Sequence, residues 1–388
     1  MRLRRSTAPA ADPDVAALAD QIKVAAESLP QDPALIVFES MAGRQYSDSP
    51  RAIYEALVRL GVPAKPVWSV RRGASGVPAG VSIVTRRSPE WIEAMATAAV
   101  WVDNQGFARW LPKPQRVHYL QTWHGTPLKR MGWNDPSLVG VDPNAARELQ
   151  AVYDRWDAVT APSEYFVESI VDAFRSDAEV LRVGMPRNDV LVRPLSVDAR
   201  AARFTALGLV PGAVTLLFAP TRTADVDVSR GRWDAAAAIA RTGVQVLYRG
   251  HYSDVPVGES DAMTALADVT GVADMADLLV IADILVTDYS SSMFDFALTD
   301  RPTILFQPDQ ASYLSDRGAY FDIREFSPGP IATTQQHLCE LVASAADWSP
   351  EWAARRAEYR RRFGQYEHGD AAERVVREHL VPRLAARS

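Results

Sequence analysis

Short apolar runs with strand composition alternate with amphipathic helical stretches along most of this chain, and that alternation constrains its fold more than any other feature. Residues 34–38 (ALIVF) and 81–85 (VSIVT) resemble buried strands, whereas 50–61 and 88–100 carry the apolar spacing of helices. Further strands are predicted over 116–123 and 157–163. An alternating order specifies a parallel sheet with helices on both faces, so we predict the α/β class.

A chain of 388 residues is long enough for two cores. Prolines interrupt the alternation within 183–196, and strands are predicted again after it, over 214–220, 243–250, 282–288 and 301–308. We therefore predict two doubly wound domains flanked by terminal segments: a tail and helix over 1–33, a first domain over 34–192, a second over 193–345 and C-terminal helices over 346–388. Ligands of open α/β sheets bind at the carboxyl ends of the strands, so we expect the chemistry there.

Charge and composition exclude several classes of protein. The formal net charge of −6 argues against a nucleic-acid partner. No stretch approaches the roughly 18 uninterrupted apolar residues of a membrane span, and residues 1–14 are charged without the apolar centre of a signal peptide. A single cysteine, Cys339, excludes an internal disulfide and a multi-cysteine metal site. We therefore expect a cytoplasmic protein.

Arginines are concentrated after Trp352. Acidic residues such as Glu358 offer them partners one helical turn away, so we favour a solvated helix face. Contact with anionic lipid at the inner face of a membrane is the alternative. The arginines in question are Arg355, Arg356, Arg360, Arg361 and Arg362.

The segment VTDYSSSMFDFAL places a hydroxyl-rich turn between a predicted strand and a predicted helix. The strand ends at Thr287 and the helix begins near Ser291, so hydroxyls and unpaired backbone N–H groups meet where a helix favours an anion. This arrangement suits a phosphate. Helix capping by Asp288 or Ser290 is the alternative, and the residues alone leave both open. The chain has no G-x-x-x-x-G-K-[ST] loop, so a P-loop nucleotidase is unsupported.

Two further strand ends of the second half carry groups that bind phosphate. LYRGHYSD supplies Arg249 and His251, and FAPTRTAD supplies Arg222. Arginine makes charge-assisted, forked hydrogen bonds to phosphate, and histidine can donate to a phosphoryl oxygen. Either loop alone is typical of a protein surface. Three such loops at strand ends argue against a coincidence more strongly than one loop would.

The segment QTWHGTPLKR places His124 at the end of a predicted strand of the first domain, facing those loops. Gly125 would allow a ligand close to the backbone, and Lys129 adds positive charge. An imidazole with a pKa of about 6.5 is suited to accept a proton near neutral pH. A hydrogen-bonded structural histidine is the alternative. The pattern assigns packing or surface to His118 and no site-like context to His379.

Taken in order, these segments resemble the CDP-glycerol glycerophosphotransferases, a family that includes the primases and polymerases of teichoic acid synthesis. The matching segments are spread over most of the chain: FESMAGRQYSDSPRAIYEAL, QTWHGTPLKRMG, VGMPRNDVL, APTR, YRGHY, TDYSSSMFDFALTDRP and YLSDRGAYFDIREFSPGPI. The resemblance implies a GT-B architecture, two Rossmann-like domains facing across a cleft with the donor nucleotide mostly on the second. It also implies a metal-independent transfer without a cofactor.

The resemblance also suggests roles for individual residues. The histidine matching His124 is the expected general base, and the one matching His251 is expected to contact the donor diphosphate. Both residues are therefore catalytic candidates. Ser290 and Ser291 match a diphosphate-binding segment. The other candidate substrate-binding residues are Gly125, Thr126, Lys129, Arg222, Arg249, Thr287 and Asp288.

The expected reaction moves glycerol phosphate from CDP-glycerol to a hydroxyl of a polyol-phosphate or lipid-linked acceptor and releases CMP. A lipid-linked acceptor implies peripheral contact with an anionic membrane. One alternative keeps the fold and takes CDP-ribitol or another nucleotide-activated donor. The other is a non-catalytic nucleotide-binding partner in an envelope assembly complex.

Overall fold

The structure is a computed structural model that describes residues 13–193, 195–221, 226–250, 266–309, 318–345 and 350–385. Within them the first domain contains a seven-stranded parallel sheet in the order β3-β2-β1-β4-β5-β6-β7. Its strands are β1 (Asp32–Glu39), β2 (Lys65–Val70), β3 (Ile83–Thr85), β4 (Ala98–Asp103), β5 (His118–Gln121), β6 (Ala158–Thr160) and β7 (Glu179–Leu181). All seven carboxyl ends therefore lie along one edge.

The second domain repeats this design with six parallel strands among the described residues, in the order β10-β9-β8-β11-β12-β13. They are β8 (Thr215–Phe218), β9 (Gln245–Tyr248), β10 (Leu266–Asp268), β11 (Ile284–Thr287), β12 (Thr303–Phe306) and β13 (Ile331–Ala332). In both sheets the strand order reverses beside the first strand of the domain, which is where ligands of such sheets bind.

Helices cover both faces of each sheet, as an apolar parallel sheet requires. In the first domain they are α1 (Pro13–Ser28), α2 (Asp48–Arg59), α3 (Pro89–Thr97), α4 (Pro143–Tyr153), α5 (Glu164–Phe166), which continues as a π-helical turn (Val167–Asp172), and α6 (Asp189–Val192). The remainder are α7 (Val197–Ala206), α8 (Val226–Ala240), α9 (Met275–Leu279), α10 (Ser292–Phe296), α11 (Gln335–Ala343), α12 (Pro350–Phe363), α13 (Ala371–Arg374), a second π-helical turn (Val375–Leu380) and α14 (Val381–Ala385). In the described part of the chain, none of these helices has the length and apolar character to cross a bilayer.

The structure corrects several predicted elements while confirming the α/β class. The helix predicted over 88–100 ends at Thr97, and the chain continues directly as β4. The strand predicted over 81–85 is confined to Ile83–Thr85. Five strands had no predicted counterpart, namely β2, β4, β7, β10 and β13. Each sheet is consequently wider than the sequence pattern indicated.

The end of the chain returns to the first domain. Val375 and Leu380, in the second π-helical turn, are buried in the same apolar cluster as Phe38 and Val100 of the first sheet. Helix α12 lies earlier, at the junction, where Tyr359 packs in one cluster with residues from both domains, including Leu128 and Phe294. The C-terminal helices thus tie the two domains together.

His379, in the second π-helical turn, contacts His118 of β5 where the C-terminal residues pack against the first sheet. His379 is 3% exposed, and its Nε2 lies 2.9 Å from Nε2 of His118. Burial lowers the pKa of His379 to about 3, and the neighbouring Arg383 and His118 add to the decrease. Glu179 also faces the ring, 3.8 Å from Nδ1, and pairs with Arg383. His379 is therefore neutral in the folded protein at ordinary pH.

This contact predicts that the protein loses stability below about pH 6.5. In that range the unfolded chain protonates His379 while the folded chain does not, so acidification favours unfolding. We expect this group to lower the unfolding free energy by about 1 kcal/mol at pH 5.5 relative to pH 7.5. Urea unfolding at the two pH values, for the native chain and for His379→Gln, measures the effect.

His337→Gln, on the exposed face of α11, is the matched control and should keep the native pH dependence. An equally steep loss of stability in His379→Gln would show that other groups cause it.

Candidate active site

His124 follows β5 in a sharp turn. Trp123 has a φ of +54° and Gly125 a φ of +144°, so the backbone on both sides of the histidine leaves the extended conformation. The imidazole stacks on the Trp123 ring, with centroids 4.6 Å apart and planes 27° from parallel. Its Nδ1 lies 2.8 Å from the carbonyl oxygen of Asn104, in the loop after β4. The ring is thereby fixed on two sides.

The partner of Nδ1 decides the tautomer of His124. A carbonyl oxygen can only accept, so in the neutral ring Nδ1 carries the proton and donates it to Asn104. Nε2 then keeps its lone pair. Burial lowers the pKa of His124, the nearby Arg187 adds to the decrease, and the bond to Asn104 and the charge of Asp48 oppose it. The imidazole is therefore neutral at pH 7, in the form that accepts a proton at Nε2.

We call residues 122–130, which follow β5, the histidine loop, and residues 287–292, which begin at the last residue of β11, the serine segment. The histidine loop of the first domain contacts the serine segment of the second. A Cβ added to Gly125 would lie 2.5 Å from Oγ of Ser291 and 2.7 Å from its Cβ, so only glycine permits this approach. The chain after Gly125 stays in contact with the second domain, because Leu128 accepts a hydrogen bond from the backbone N–H of Tyr320. The structure thus brings the two predicted halves of the site together over one gap.

The hydroxyls of the serine segment have different surroundings. Oγ of Ser290 accepts hydrogen bonds from the backbone and the hydroxyl of Ser292, at 3.3 and 3.1 Å. Thr287 is buried and donates to the carbonyl of Ala219 at 2.6 Å. Helix α10 has only five residues, so local N–H groups, rather than a long helix dipole, would act on an anion here. Ser290 and Ser291 are half-buried and adjoin the gap.

Asp288 is saturated with protein donors. Its carboxylate accepts from the backbone N–H and the hydroxyl of Thr221, and from Nη2 of Arg232 at 2.7 Å. Both Asp288 and Arg232 are almost fully buried. These bonds hold the loop after β8 against the loop after β11. A buried carboxylate would also repel a diphosphate, so the geometry fits a role in shaping the anion site.

Arg249 directly follows β9, and its backbone N–H donates to the carbonyl oxygen of Phe218. Burial lowers the pKa of its guanidinium, against the charges of Asp274 and Asp277. Its Nη1 is buried and has no hydrogen-bond partner among the described residues. The predicted site residues Arg222 and His251 lie outside the residues that the structure describes.

The two remaining predicted residues lie in the histidine loop. Thr126 is 2% exposed. Lys129 is half-buried and forms an isolated antiparallel bridge with Ala319 of the second domain. Both therefore lie in the segment that joins the two domains.

Sequence reasoning missed Arg187, the group that connects the two sides of the gap. Its Nη1 donates to Asp48 at 3.0 Å and its Nη2 to Asp295 at 2.6 Å, and all three side chains are at most 10% exposed. Nη2 also lies 3.3 Å from the position of a Cβ on Gly125. The arginine belongs to VGMPRND, within the stretch where prolines interrupt the predicted alternation of strands and helices. Its partners are 139 and 108 residues away in the chain, so no local pattern could reveal them.

No group of three or more His, Cys, Asp or Glu side chains within the described ranges is arranged to hold a metal ion. Among the described residues, the ionisable groups placed at the gap include the Arg187 guanidinium with its two carboxylate partners and the imidazole of His124.

Comparison with known proteins adds an independent result. The sequence profile of a family described as CDP-Glycerol:Poly(glycerophosphate) glycerophosphotransferase matches residues 22–380. A teichoic acid glycerol-phosphate transferase of Staphylococcus aureus (strain NCTC 8325 / PS 47) is 32% identical over 358 residues, covering 88% of this chain and 91% of that protein. A teichoic acid poly(glycerol phosphate) polymerase of Bacillus subtilis (strain 168) is 31% identical over 366 residues, covering 90% of this chain but 49% of that protein. The chain thus spans nearly all of one relative and about half of the other.

Solved structures agree with the sequence relatives. A variant of the wall teichoic acid polymerase TagF soaked with CDPG superposes with a TM-score of 0.86 at 28% identity, covering 96% of this chain and 94% of that one. This agreement confirms the predicted GT-B architecture. It also confirms the resemblance drawn from the ordered motifs.

Proposed function

The chain belongs to the CDP-glycerol:poly(glycerophosphate) glycerophosphotransferase family, and we propose that it transfers glycerol phosphate from CDP-glycerol to an acceptor hydroxyl and releases CMP. The acceptor is a polyol-phosphate or a lipid-linked sugar. One observation carries the proposal. A histidine whose tautomer leaves Nε2 as a base lies in a loop that touches a hydroxyl-rich segment of the opposite domain.

His124 is the general base in this proposal. The acceptor hydroxyl gives its proton to Nε2, and the oxygen attacks the phosphorus that carries glycerol. The bond from that phosphorus to the bridging oxygen breaks, and CMP leaves with the electron pair. Because Nδ1 donates to Asn104, the developing imidazolium keeps a fixed orientation and an acceptor for its positive ring proton.

The second domain holds the diphosphate. Ser290 and Ser291 adjoin the gap. The buried Nη1 of Arg249 has no hydrogen-bond partner among the described residues, so its N–H groups can donate to a phosphate oxygen. Positively charged donors near the bridging oxygen stabilise the charge that develops on departing CMP. Arg222 and His251 are assigned to the same diphosphate on the basis of the family motif. Thr287 and Asp288 hold the loop after β11 in position through their hydrogen bonds to the loop after β8.

Membrane contact remains part of the proposal through the acceptor, since a lipid-linked acceptor is presented at the inner face of a membrane. Most arginines of α12 have protein partners, which argues against a lipid site there, and Arg356 is buried rather than solvated. Arg361 pairs with Glu358, and Arg356 and Arg360 both pair with Asp300.

The test is incubation with a panel of donors and a short glycerol phosphate oligomer as acceptor. We expect CMP release with CDP-glycerol and a product heavier by one or more glycerol phosphate units. Comparable turnover with CDP-ribitol or a sugar nucleotide would assign a different donor. Tight binding of CDP-glycerol without CMP release, with every acceptor tried, would instead favour a non-catalytic nucleotide-binding protein.

A further inference from the structure

A basic cavity lies in the first domain, away from the serine segment. It opens at the carboxyl ends of β2 and β3, has a volume of about 550 Å³, and is lined by Arg71, Arg72, Thr85, Arg86, Arg87 and Ser88. We call it the arginine cavity. Four of its six lining residues are cations that carry forked hydrogen-bond donors, the chemistry that proteins use for phosphate.

The positive charge of the arginine cavity is poorly compensated within the described part of the chain. Arg86 contacts Glu39, with 3.3 Å between Nη1 and Oε1. Glu39 is fully buried, and burial raises its pKa to about 7, so its negative charge is incomplete near neutral pH. Among the described residues, no ion pair includes Arg71, Arg72 or Arg87, although the charge of Glu39 reaches Arg71. Like charges gathered without counter-charges favour binding of an anion.

Electrostatics at Arg71 agrees with this. Burial lowers the pKa of its guanidinium, and the neighbouring Arg86, Arg44 and Arg87 lower it further, with Glu39 opposing them. The guanidinium therefore experiences a net positive surrounding.

The backbone holds the arginines in place. The N–H of Arg71 donates to the carbonyl of Gly43 at 2.6 Å, and a Cβ on Gly43, which has a φ of +79°, would lie 2.8 Å from Cδ of Arg86. Arg87 itself has a φ of +70°. Left-handed backbone at a non-glycine residue costs free energy and persists where the surroundings enforce it, often at ligand sites. The loops after β1, β2 and β3 thus pack as one unit.

The same loops connect the arginine cavity to the catalytic histidine. Gly43 and Met41 belong to the loop after β1, and the N–H of Met41 donates to Oδ1 of Asn104 at 2.9 Å. The carbonyl of Asn104 in turn accepts from His124. Strands β2 and β5 are separated by β1 and β4, hence by three strand spacings of about 4.8 Å each. An extended molecule with one end at His124 can follow this sheet edge to the arginines.

We propose that the arginine cavity binds phosphodiester groups of the acceptor chain, behind the terminal hydroxyl that reacts at His124. The inference rests on the proposed function, because it names the acceptor as a polyanion. The donor diphosphate is bound by the second domain, whereas the cavity belongs to the first, which must present the acceptor. Anionic lipid headgroups share the phosphodiester chemistry, and the experiment separates the two sources.

The experiment uses Arg72→Gln/Arg87→Gln, which removes two exposed arginines and leaves the better-buried Arg86 in place. Direct binding of a poly(glycerol phosphate) oligomer, without donor, should weaken at least ~10-fold, as expected when charge-assisted phosphate contacts are lost. In turnover, the KM for the oligomer should rise by a similar factor, while kcat and the KM for CDP-glycerol stay unchanged. Arg147→Gln/Arg241→Gln, two exposed arginines elsewhere, is the charge-matched control and should bind the oligomer normally.

Other outcomes would overturn the proposal or assign the cavity to a different ligand. Unchanged oligomer affinity in Arg72→Gln/Arg87→Gln would overturn the proposal, as would an equal loss in the control pair. Reduced sedimentation with phosphatidylglycerol vesicles, together with unchanged oligomer binding, would assign the cavity to lipid and also overturn it. Absence of CMP release from the native protein would refute the proposed function alone, because oligomer binding is measured without any reaction.

Discussion

His124→Ala is expected to lower the rate of CMP release by about 10²- to 10⁴-fold, the usual contribution of general-base catalysis. The loss should appear in kcat. The contacts that hold the imidazole are made with Asn104 and Trp123, and neither residue is proposed to bind the donor. The affinity for CDP-glycerol should stay within a few-fold of the native value. Single-turnover assays of CMP release, paired with calorimetric titration of CDP-glycerol, measure the two quantities.

His337→Ala is the control, since that histidine is exposed on α11 and should retain full turnover.

The native enzyme should also show an acidic limb in the pH profile of kcat/KM, where protonation of the general base lowers the activity. Because burial lowers the pKa of His124, this limb should fall below pH 6.5, and activity should decline as pH drops through it. Turnover of His124→Ala at a native rate would remove the imidazole from the mechanism.

The orientation of His124 depends on Asn104, a residue that no sequence pattern singled out. The loops after strands could be predicted to share an edge, because parallel strands place their carboxyl ends together. Which carbonyl meets Nδ1 is a matter of tertiary packing between the loops after β4 and β5. Chemistry-bearing residues at strand ends were therefore predictable, while the groups that orient them were not.

The missed strands have similarly physical causes. Strand β4 follows α3 without a turn, in the continuous apolar run ATAAVWVD, and periodicity cannot separate a buried strand from a buried helix. Strand β2 begins with Lys65 and Pro66, which weaken a strand pattern. Strands β7, β10 and β13 have three, three and two residues, too few for any alternation. The two-domain α/β order survived these errors because it depends on the longer elements.

Arg187→Met is expected to destabilise the protein by about 3–5 kcal/mol, because it leaves Asp48 and Asp295 as buried carboxylates without their common partner. Burial acts to lower the pKa of Arg187, but Asp295 and Asp48 outweigh it and hold the pKa above its ordinary value. The guanidinium therefore stays charged in the folded protein. Urea unfolding followed by tryptophan fluorescence gives the change in free energy.

Arg182→Met is the matched comparison, because the ion pair of Arg182 with Glu164 is about half exposed on both sides and such pairs contribute at most about 1 kcal/mol. Adding Asp48→Asn and Asp295→Asn to Arg187→Met should recover part of the lost stability, since the unpaired charges disappear. The two carboxylates come from different domains, so Arg187→Met should also loosen the approach of Gly125 to Ser291 and reduce kcat. If Arg187→Met costs no more than Arg182→Met, apolar contacts such as those of Tyr359 hold the two domains together, and the buried ion pairs contribute only alignment.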